Sequence, residues 1–364
     1  MSVLAAIGVL ALLIVVHELG HFLAARLQGI HVNRFSIGFG PILWKYQGKE
    51  TEYAIRAIPL GGFVGFPDDD PDSEIPPEDP NLLRNRPILD RAIVISAGVI
   101  ANLIFAYLVF VTQFYAVGIP EKFDYQPGVL VAEIIAPDAP AAQAGVKPED
   151  VILAVNGESL GASEMAVKSL MEDIQANPDQ PIELTVQRGD QQVDLIVTPK
   201  LGEDGIARIG VQLLPHGSVT QYRRPTGIIE VLTLAADQFQ TTFVRILEGF
   251  ITLITNFSAV AGQVAGPVKI VEQGAGLVSS NASSLFPFTA IISINLAIIN
   301  ILPLPALDGG QLAFLLIEAL RGKPLPNRIQ ENVMQTGLVL LLGLGIFLIV
   351  RDTTQLEVFQ NLFQ

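Results

Sequence analysis

The 364-residue sequence contains no cysteine. That absence excludes disulfides and thiolate metal sites. Charge is also scarce: Asp, Glu, Lys and Arg make up 16% of the chain, against about a quarter in an ordinary soluble domain. A basic excess is missing as well. Lys and Arg number 22 against 36 acids, for a net charge of -14, which argues against nucleic acid as a partner, because phosphate backbones reward basic patches. The first apolar run has almost no positive region ahead of it. It is therefore expected to be retained rather than removed as a signal peptide. What the chain has in quantity is apolar surface: half its residues are hydrophobic and its mean hydropathy is +0.47. The balance is that of a membrane protein with a soluble portion.

Four runs approach the roughly 20 apolar residues that a spanning helix needs. They are Val3–Leu27, Ala92–Ile119, Phe286–Leu304 and Val333–Val350. The second is interrupted by Ser96, Asn102 and Gln113, and the third contains Asn295 and Asn300. Arg34, Lys45, Lys49, Arg56, Arg84 and Arg86 fall between the first two runs, and Arg321, Lys323 and Arg328 between the last two. The positive-inside rule puts both loops in the cytoplasm and the long segment from about Glu121 to Leu285 outside.

The polar residues in the first run carry the chemistry. His17-Glu18-Leu19-Gly20-His21 places two imidazoles four residues apart, on one face of a helix. Two His with an intervening Glu is the zincin arrangement of two metal ligands and a general base. Ionisable groups at membrane depth are costly and rarely lack a use. With four His in the chain, a chance match is improbable. A catalytic zinc takes three protein ligands, yet no acid follows Glu18 until Glu50, and Ala24 and Leu27 stand where a downstream Gly and His would be needed. The best third ligand is Asp308, in Asn300-Ile301-Leu302-Pro303-Leu304-Pro305-Ala306-Leu307-Asp308-Gly309-Gly310. Prolines before it and glycines after it break the helix and turn the carboxylate inward. Read alone, it could equally be an ordinary helix-end Asp. Zinc is inferred from ligand type, and Co²⁺ or Fe²⁺ fits the same set.

Other segments are read from pattern. The region 28–66 alternates and is punctuated by glycine, as in Phe35–Pro41 and Pro59–Phe66, which predicts β-hairpins bent at glycine, unusually apolar for a cytoplasmic loop. Pro67–Pro80 is acidic and proline-rich, with Asp68, Asp69, Asp70, Asp72, Glu74, Glu78 and Asp79, and the segment 67–87 is expected to be a solvated, flexible linker. Residues 126–200 read as a compact domain of strands and short helices. Thr226–Ile254 has apolar residues at helical spacing but four charges. An amphipathic helix on the outer membrane face, within a region 226–283, fits it better than a fifth span.

HExxH in the first span together with Asn-x-x-Pro-x-Pro-x-Leu-Asp-Gly-Gly in the third resembles the site-2 protease family of intramembrane zinc metalloproteases. The domain at Gln126–Lys200 resembles a PDZ domain of the bacterial envelope type. One such domain between the second and third spans looks like the bacterial branch related to the regulator of sigma-E protease, in which Gly266-Pro267-Val268 also recurs. The resemblance covers nearly the whole chain. It implies a polytopic α-helical membrane protein of four transmembrane helices (1–27, 88–119, 284–310 and 333–350), a membrane-associated β-hairpin region and one α+β PDZ domain. It implies Zn²⁺ held by His17, His21 and Asp308, Glu18 as base, and Asn295 and Asn300 as substrate-positioning groups. Gly61, Gly62, Phe63 and Val64 would belong to a β-loop that pairs with extended substrate. The implied activity is hydrolysis of peptide bonds within transmembrane segments of single-span membrane proteins, in a bacterial plasma membrane. The active site would lie toward the cytoplasmic side and the PDZ domain outside, where a peptide ligand could bind. Members of that branch can carry two PDZ domains; one is found here.

Two other classes compete. A zinc-binding membrane scaffold without catalysis would need the ligands but not Glu18. A metal transporter would need more polar residues in the second and fourth spans than the sequence has.

Overall fold

The computed structural model describes residues 2–70, 73–135, 139–202, 205–257, 264–280 and 282–355. Besides short 3-10 turns, the elements in chain order are α1 (Ser2–Leu27), β1 (Arg34–Gln47), β2 (Glu52–Gly65), α2 (Ile88–Ala116), β3 (Ile119–Ile134), α3 (Pro140–Gln143), β4 (Val151–Val155), β5 (Glu158–Ser159), α4 (Ala166–Ala176), β6 (Ile182–Arg188), β7 (Gln191–Val197), β8 (Lys200–Leu201), β9 (Ala207–Arg208), β10 (Val211–Arg223), α5 (Ile228–Thr255), α6 (Pro267–Ser280), α7 (Leu285–Ile301), α8 (Asp308–Arg321) and α9 (Asn327–Gln355). The chain divides into two compact units.

The first unit takes the chain before Gly118, Gly227–Leu247 and the chain from Ala265 onward. Among the described residues, four helices are long and apolar enough to cross a membrane: Ser2–Leu27, Ile88–Ala116, Ala282–Ile301 and Arg328–Thr354. α1 packs on α2, and α2 on α7. Val9 and Leu13 of α1 meet Phe288 of α7 in a cluster flanked by Phe105 and Leu296. The stretch 284–310 is not one helix, contrary to expectation. α7 ends at Ile301, and Asp308 opens the separate helix α8. Pro303 and Pro305 supply no amide donors to continue a helix, and Ala306 is left-handed at φ 69°. α5 carries its charges among apolar residues and lies outside the four candidate spans.

β1 and β2 form a two-stranded sheet, but both strands bend. Arg34–Ile37 consequently lies in register with Glu52–Ile55 in one sense and with Gly62–Gly65 in the other, while Ile42–Gln47 pairs back along Glu52–Arg56. The simple hairpins read from the sequence become a folded-over pair in which Gly62–Gly65 forms one outer edge.

The acidic segment after it is not the free linker its composition predicts. Asp68 accepts hydrogen bonds from the Leu83 and Arg84 amides at 3.1 and 3.0 Å. Asp70 accepts from Asn33 Nδ2 and Arg34 Nη2 at 3.0 and 2.9 Å, and Asp79 from the Asn81 amide at 2.7 Å. These three carboxylates each have a donor waiting, a feature composition does not register. Asp72 lies outside the described residues, as do residues 136–138 of the expected domain and 258–263 of the expected amphipathic region.

The second unit takes Gly118–Thr226 and Glu248–Val264. Its sheet runs β10-β3-β4-β6-β7, with β5 paired to β4. Val129, Val131, Ile152, Leu170, Ile182, Leu184, Val186 and Val197 are its buried core, so α4 contributes one apolar face and alternate strand residues the other. The expected boundary at residue 200 misses β10, which pairs with β3 from Val211↔Ile134 to Arg223↔Ile119. Asp150 is buried and takes two hydrogen bonds from Arg188, at 2.8 and 2.7 Å. That carboxylate holds the Arg188 guanidinium above its ordinary pKa.

Candidate metal centre

One otherwise largely apolar helix presents His17 and His21 on the same face, a turn apart. Their rings meet edge to face, with centroids 4.7 Å apart. The two Nε2 atoms are 3.2 Å apart. Asp308 Oδ2 approaches from the first turn of α8, 3.2 Å from His17 Nε2 and 3.4 Å from His21 Nε2. Little of each side chain is exposed, 11% and 12% for the histidines and 13% for Asp308.

These separations fit a zinc ion. Ligand atoms about 2.0–2.1 Å from a tetrahedral metal lie about 3.3–3.4 Å from one another. No donor meets the buried Asp308 Oδ2 in hydrogen-bonding geometry. Two imidazole nitrogens and a carboxylate oxygen, converging with their lone pairs unspent, are what a zinc site offers. Among the described residues, these three form the cluster able to hold a metal ion.

Local structure explains the convergence. The break after Ile301 reverses the chain so tightly that a Cβ on Gly309 would lie 2.1 Å from the Leu302 carbonyl oxygen, and one on Gly310 2.4 Å from that of Leu304. Only glycine fits both positions, and that turn delivers Asp308 to the histidines. α2 passes behind the imidazoles at Gly98, where a Cβ would come within 2.3 Å of His21 Nε2 and 2.7 Å of His17 Cε1. α2 also orients the rings: His21 Nδ1 lies 2.8 Å from the Val94 carbonyl oxygen, and His17 Nδ1 lies 3.3 Å from the Asn102 side chain.

Glu18 faces a cavity of about 560 Å³ that is lined by the side chains of His17, His21 and Asp308 together with Gly62, Phe63 and Val64. The strand edge passes directly over Glu18. A Cβ on Gly62 would lie 2.9 Å from Glu18 Cγ. Gly61 does not line this cavity; it sits beside the Phe39 ring. Asn300 Nδ2 lies 3.4 Å from His17 Nε2. Asn295 is not brought in: its amide donates to the Ile291 carbonyl one turn back on its own helix, at 2.9 Å.

Sequence reasoning did not assign Gly98, Val94, Asn102 or the Arg91–Glu318 pair, which also lines the cavity. Asn102 did leave a signal, as a polar interruption of the second apolar run. The others left none, because a glycine, a backbone carbonyl and a distant charge pair become informative only once the helices are packed.

Comparison with known proteins gives a consistent picture. The model of peptidase family M50 matches residues 5–344. A Nostoc protein named "Putative zinc metalloprotease" is 63% identical over 370 residues, covering all of both chains. A Synechocystis protein of the same name is 57% identical, covering 99% of this chain and 97% of its own. The chloroplastic membrane metalloprotease ARASP of Arabidopsis thaliana is 49% identical, covering 98% of this chain and 79% of its own. Among solved structures, the PDZ domain of an SdrC-like protein from Listeria monocytogenes matches 24% of this chain and 87% of its own, at 20% identity and a TM-score of 0.21.

Proposed function

Since this chain belongs to peptidase family M50, the site-2 protease family, we infer that it is an intramembrane zinc endopeptidase that hydrolyses peptide bonds within the transmembrane segments of single-span membrane proteins. The observation that carries this reading is the arrangement at the centre. Three ligand atoms converge at 3.2–3.4 Å, beside a glutamate and under the Gly62–Gly65 strand edge, on helices apolar enough to lie in a bilayer.

Zinc, when bound by His17, His21 and Asp308, lowers the pKa of a water toward about 7 and polarises a carbonyl. Glu18 takes the proton from the attacking water and returns it to the leaving amide nitrogen. A helical substrate has its amides locked in i to i−4 bonds, so it must unwind before it can be cut. The Gly62–Gly65 edge offers an unwound segment a strand to pair with, and Asn300, beside His17, offers an amide to the substrate backbone. A scaffold that only holds zinc has no need of Glu18 in the cavity.

The loops rich in Lys and Arg support a cytoplasmic placement for β1–β2 and for the segment between α8 and α9, with the centre toward that side of a bacterial plasma membrane. The second unit, a sheet capped by α4, is read as a PDZ domain outside the cytoplasm. It would take a peptide ligand or turn away substrates with intact outer domains. On this reading the protein would act in regulated intramembrane proteolysis, on substrates such as anti-sigma factors or remnant signal peptides. The test is incubation of the purified full chain with a panel of single-span membrane peptides. Cleavage that stops with a chelator, returns with zinc and is absent from Glu18→Gln supports the reading. Metal-independent cleavage, or none across the panel, overturns it.

A further inference from the structure

Most of α9 is exposed, and among its described residues two are buried, Gly337 and Asp352. Each marks a point where the helix meets the rest of its unit. Near the C-terminal end, Asp352 Oδ2 accepts the Lys269 amide in the first turn of α6, at 3.1 Å. Nearer the start, Gly337 lies against the turn that joins α7 to α8: a Cβ there would come 2.7 Å from the Pro305 carbonyl carbon. Met334, three residues earlier on the same face, reaches that turn as well. The Ala306 amide donates to its Sδ at 3.3 Å.

This hydrogen bond falls two residues before Asp308. Other amides of the turn are satisfied within it: Leu304 donates to the Leu302 carbonyl at 2.7 Å and Leu307 to the Leu304 carbonyl at 3.3 Å. Pro303 and Pro305 have none to give. Ala306 differs. Its amide leaves the turn for α9, and at φ 69° it is the one left-handed non-glycine among the described residues of the first unit. A β-carbon disfavours that conformation, so the surroundings must hold it. α9 supplies the hold, with the Met334 sulfur on the Ala306 amide and Gly337 against Pro305. Ala306, Met334 and Asp308 line the same cavity.

We propose that Met334 is a positioning residue of the metal centre: by accepting the Ala306 amide it locks the left-handed turn that carries Asp308 to His17 and His21. The inference rests on the reading of those three residues as a zinc site. The histidines are set by α1 and by their contacts with α2. Asp308 follows a tight turn, and its place is only as firm as that turn. A thioether suits the task. It is long and unbranched enough to reach across from α9, and its sulfur accepts without bringing a charge into the cavity.

Met334→Leu conserves volume and removes the acceptor. Met334→Gln keeps a similar length and brings an amide oxygen within reach of the same donor. Zinc affinity is measured on the full chain in detergent, by competition against a chelator of known affinity. The absorption of bound Co²⁺, which reports coordination geometry, is recorded beside it. Losing a group that orients a metal ligand costs about 10–100-fold in metal affinity, and a thioether is a weak acceptor, so Met334→Leu should bind zinc about 10-fold more weakly. Its Co²⁺ spectrum should change as well, and Met334→Gln should restore both. Leu344→Ala, at an exposed position of α9, should change neither. Wild-type affinity and spectrum in Met334→Leu, or an equal loss in Met334→Gln, would overturn the proposal. If Met334→Leu does not fold, Gly337→Ala, which pushes α9 and Met334 off the turn, decides by the same two readouts. Absence of zinc binding in wild type would instead overturn the zinc reading itself.

Discussion

Arg91, near the start of α2, and Glu318, near the end of α8, form a two-point ion pair, with Nη1 3.0 Å from Oε2 and Nη2 against Oε1. Only 16% and 14% of the two side chains is exposed. The pair joins the helix that backs the histidines to the helix that begins with Asp308. It therefore fixes the distance across which the third ligand must reach.

Breaking such a pair from one side leaves the other charge buried, which costs about 3–5 kcal/mol. Arg91→Leu or Glu318→Leu alone should lower both the denaturation midpoint and zinc retention. The double variant should recover much of the loss. Additive losses in the double variant would show that the two side chains act separately.

Glu18→Gln keeps both histidines and removes the base. Loss of general base catalysis typically costs about 10²–10⁴-fold, so cleavage should fall by that order while zinc content stays at the wild-type level. Metal analysis and single-turnover cleavage on the same preparation check both halves.

Asp308→Ala leaves two ligands of three. Zinc should be lost on dialysis against a mild chelator that the wild type withstands. Asp308→Asn should lose less, because an amide oxygen still coordinates weakly. Equal retention in Asp308→Ala and wild type would mean that another group holds the metal.

Gly98→Ala places a methyl 2.3 Å from where His21 Nε2 now sits, so α2 must move or the imidazoles must. Zinc affinity should fall at least as far as for a lost second ligand contact, roughly 10-fold or more. Gly8→Ala, with open space around it, is the matched control and should change nothing.

The sheet of the second unit can be excised where its first and last strands meet. Ile119 pairs with Arg223, so replacing 119–223 with a short flexible linker leaves neither β3 nor β10 without its partner. Short membrane peptides should still be cut, and substrates with folded outer domains should be cut faster than by wild type. Loss of cleavage of a short peptide by a folded, zinc-loaded deletion would refute a filtering role.

Much of this was legible in the sequence because the signals are local. HExxH is a matter of helical spacing, and the four long apolar runs needed only length and composition. Asp308 was reachable because prolines and glycines around it announce a break, although that break also put it at the start of a new helix rather than the end of the third span. Asp68, Asp70 and Asp79 were misread, because composition registers their charge and not the amides and cations that meet them. Asn102 and the Arg91–Glu318 pair acquire meaning only from neighbours on other helices.

The centre draws its ligands from a helix made early and a helix made late. Translation yields His17, Glu18 and His21 first and Asp308 only after nearly three hundred more residues. At about 5–20 residues per second that delay is on the order of tens of seconds. Throughout it the growing chain has a base and two ligands but no complete metal site. The proposed protease is thereby kept inert while most of its own apolar helices are still being made.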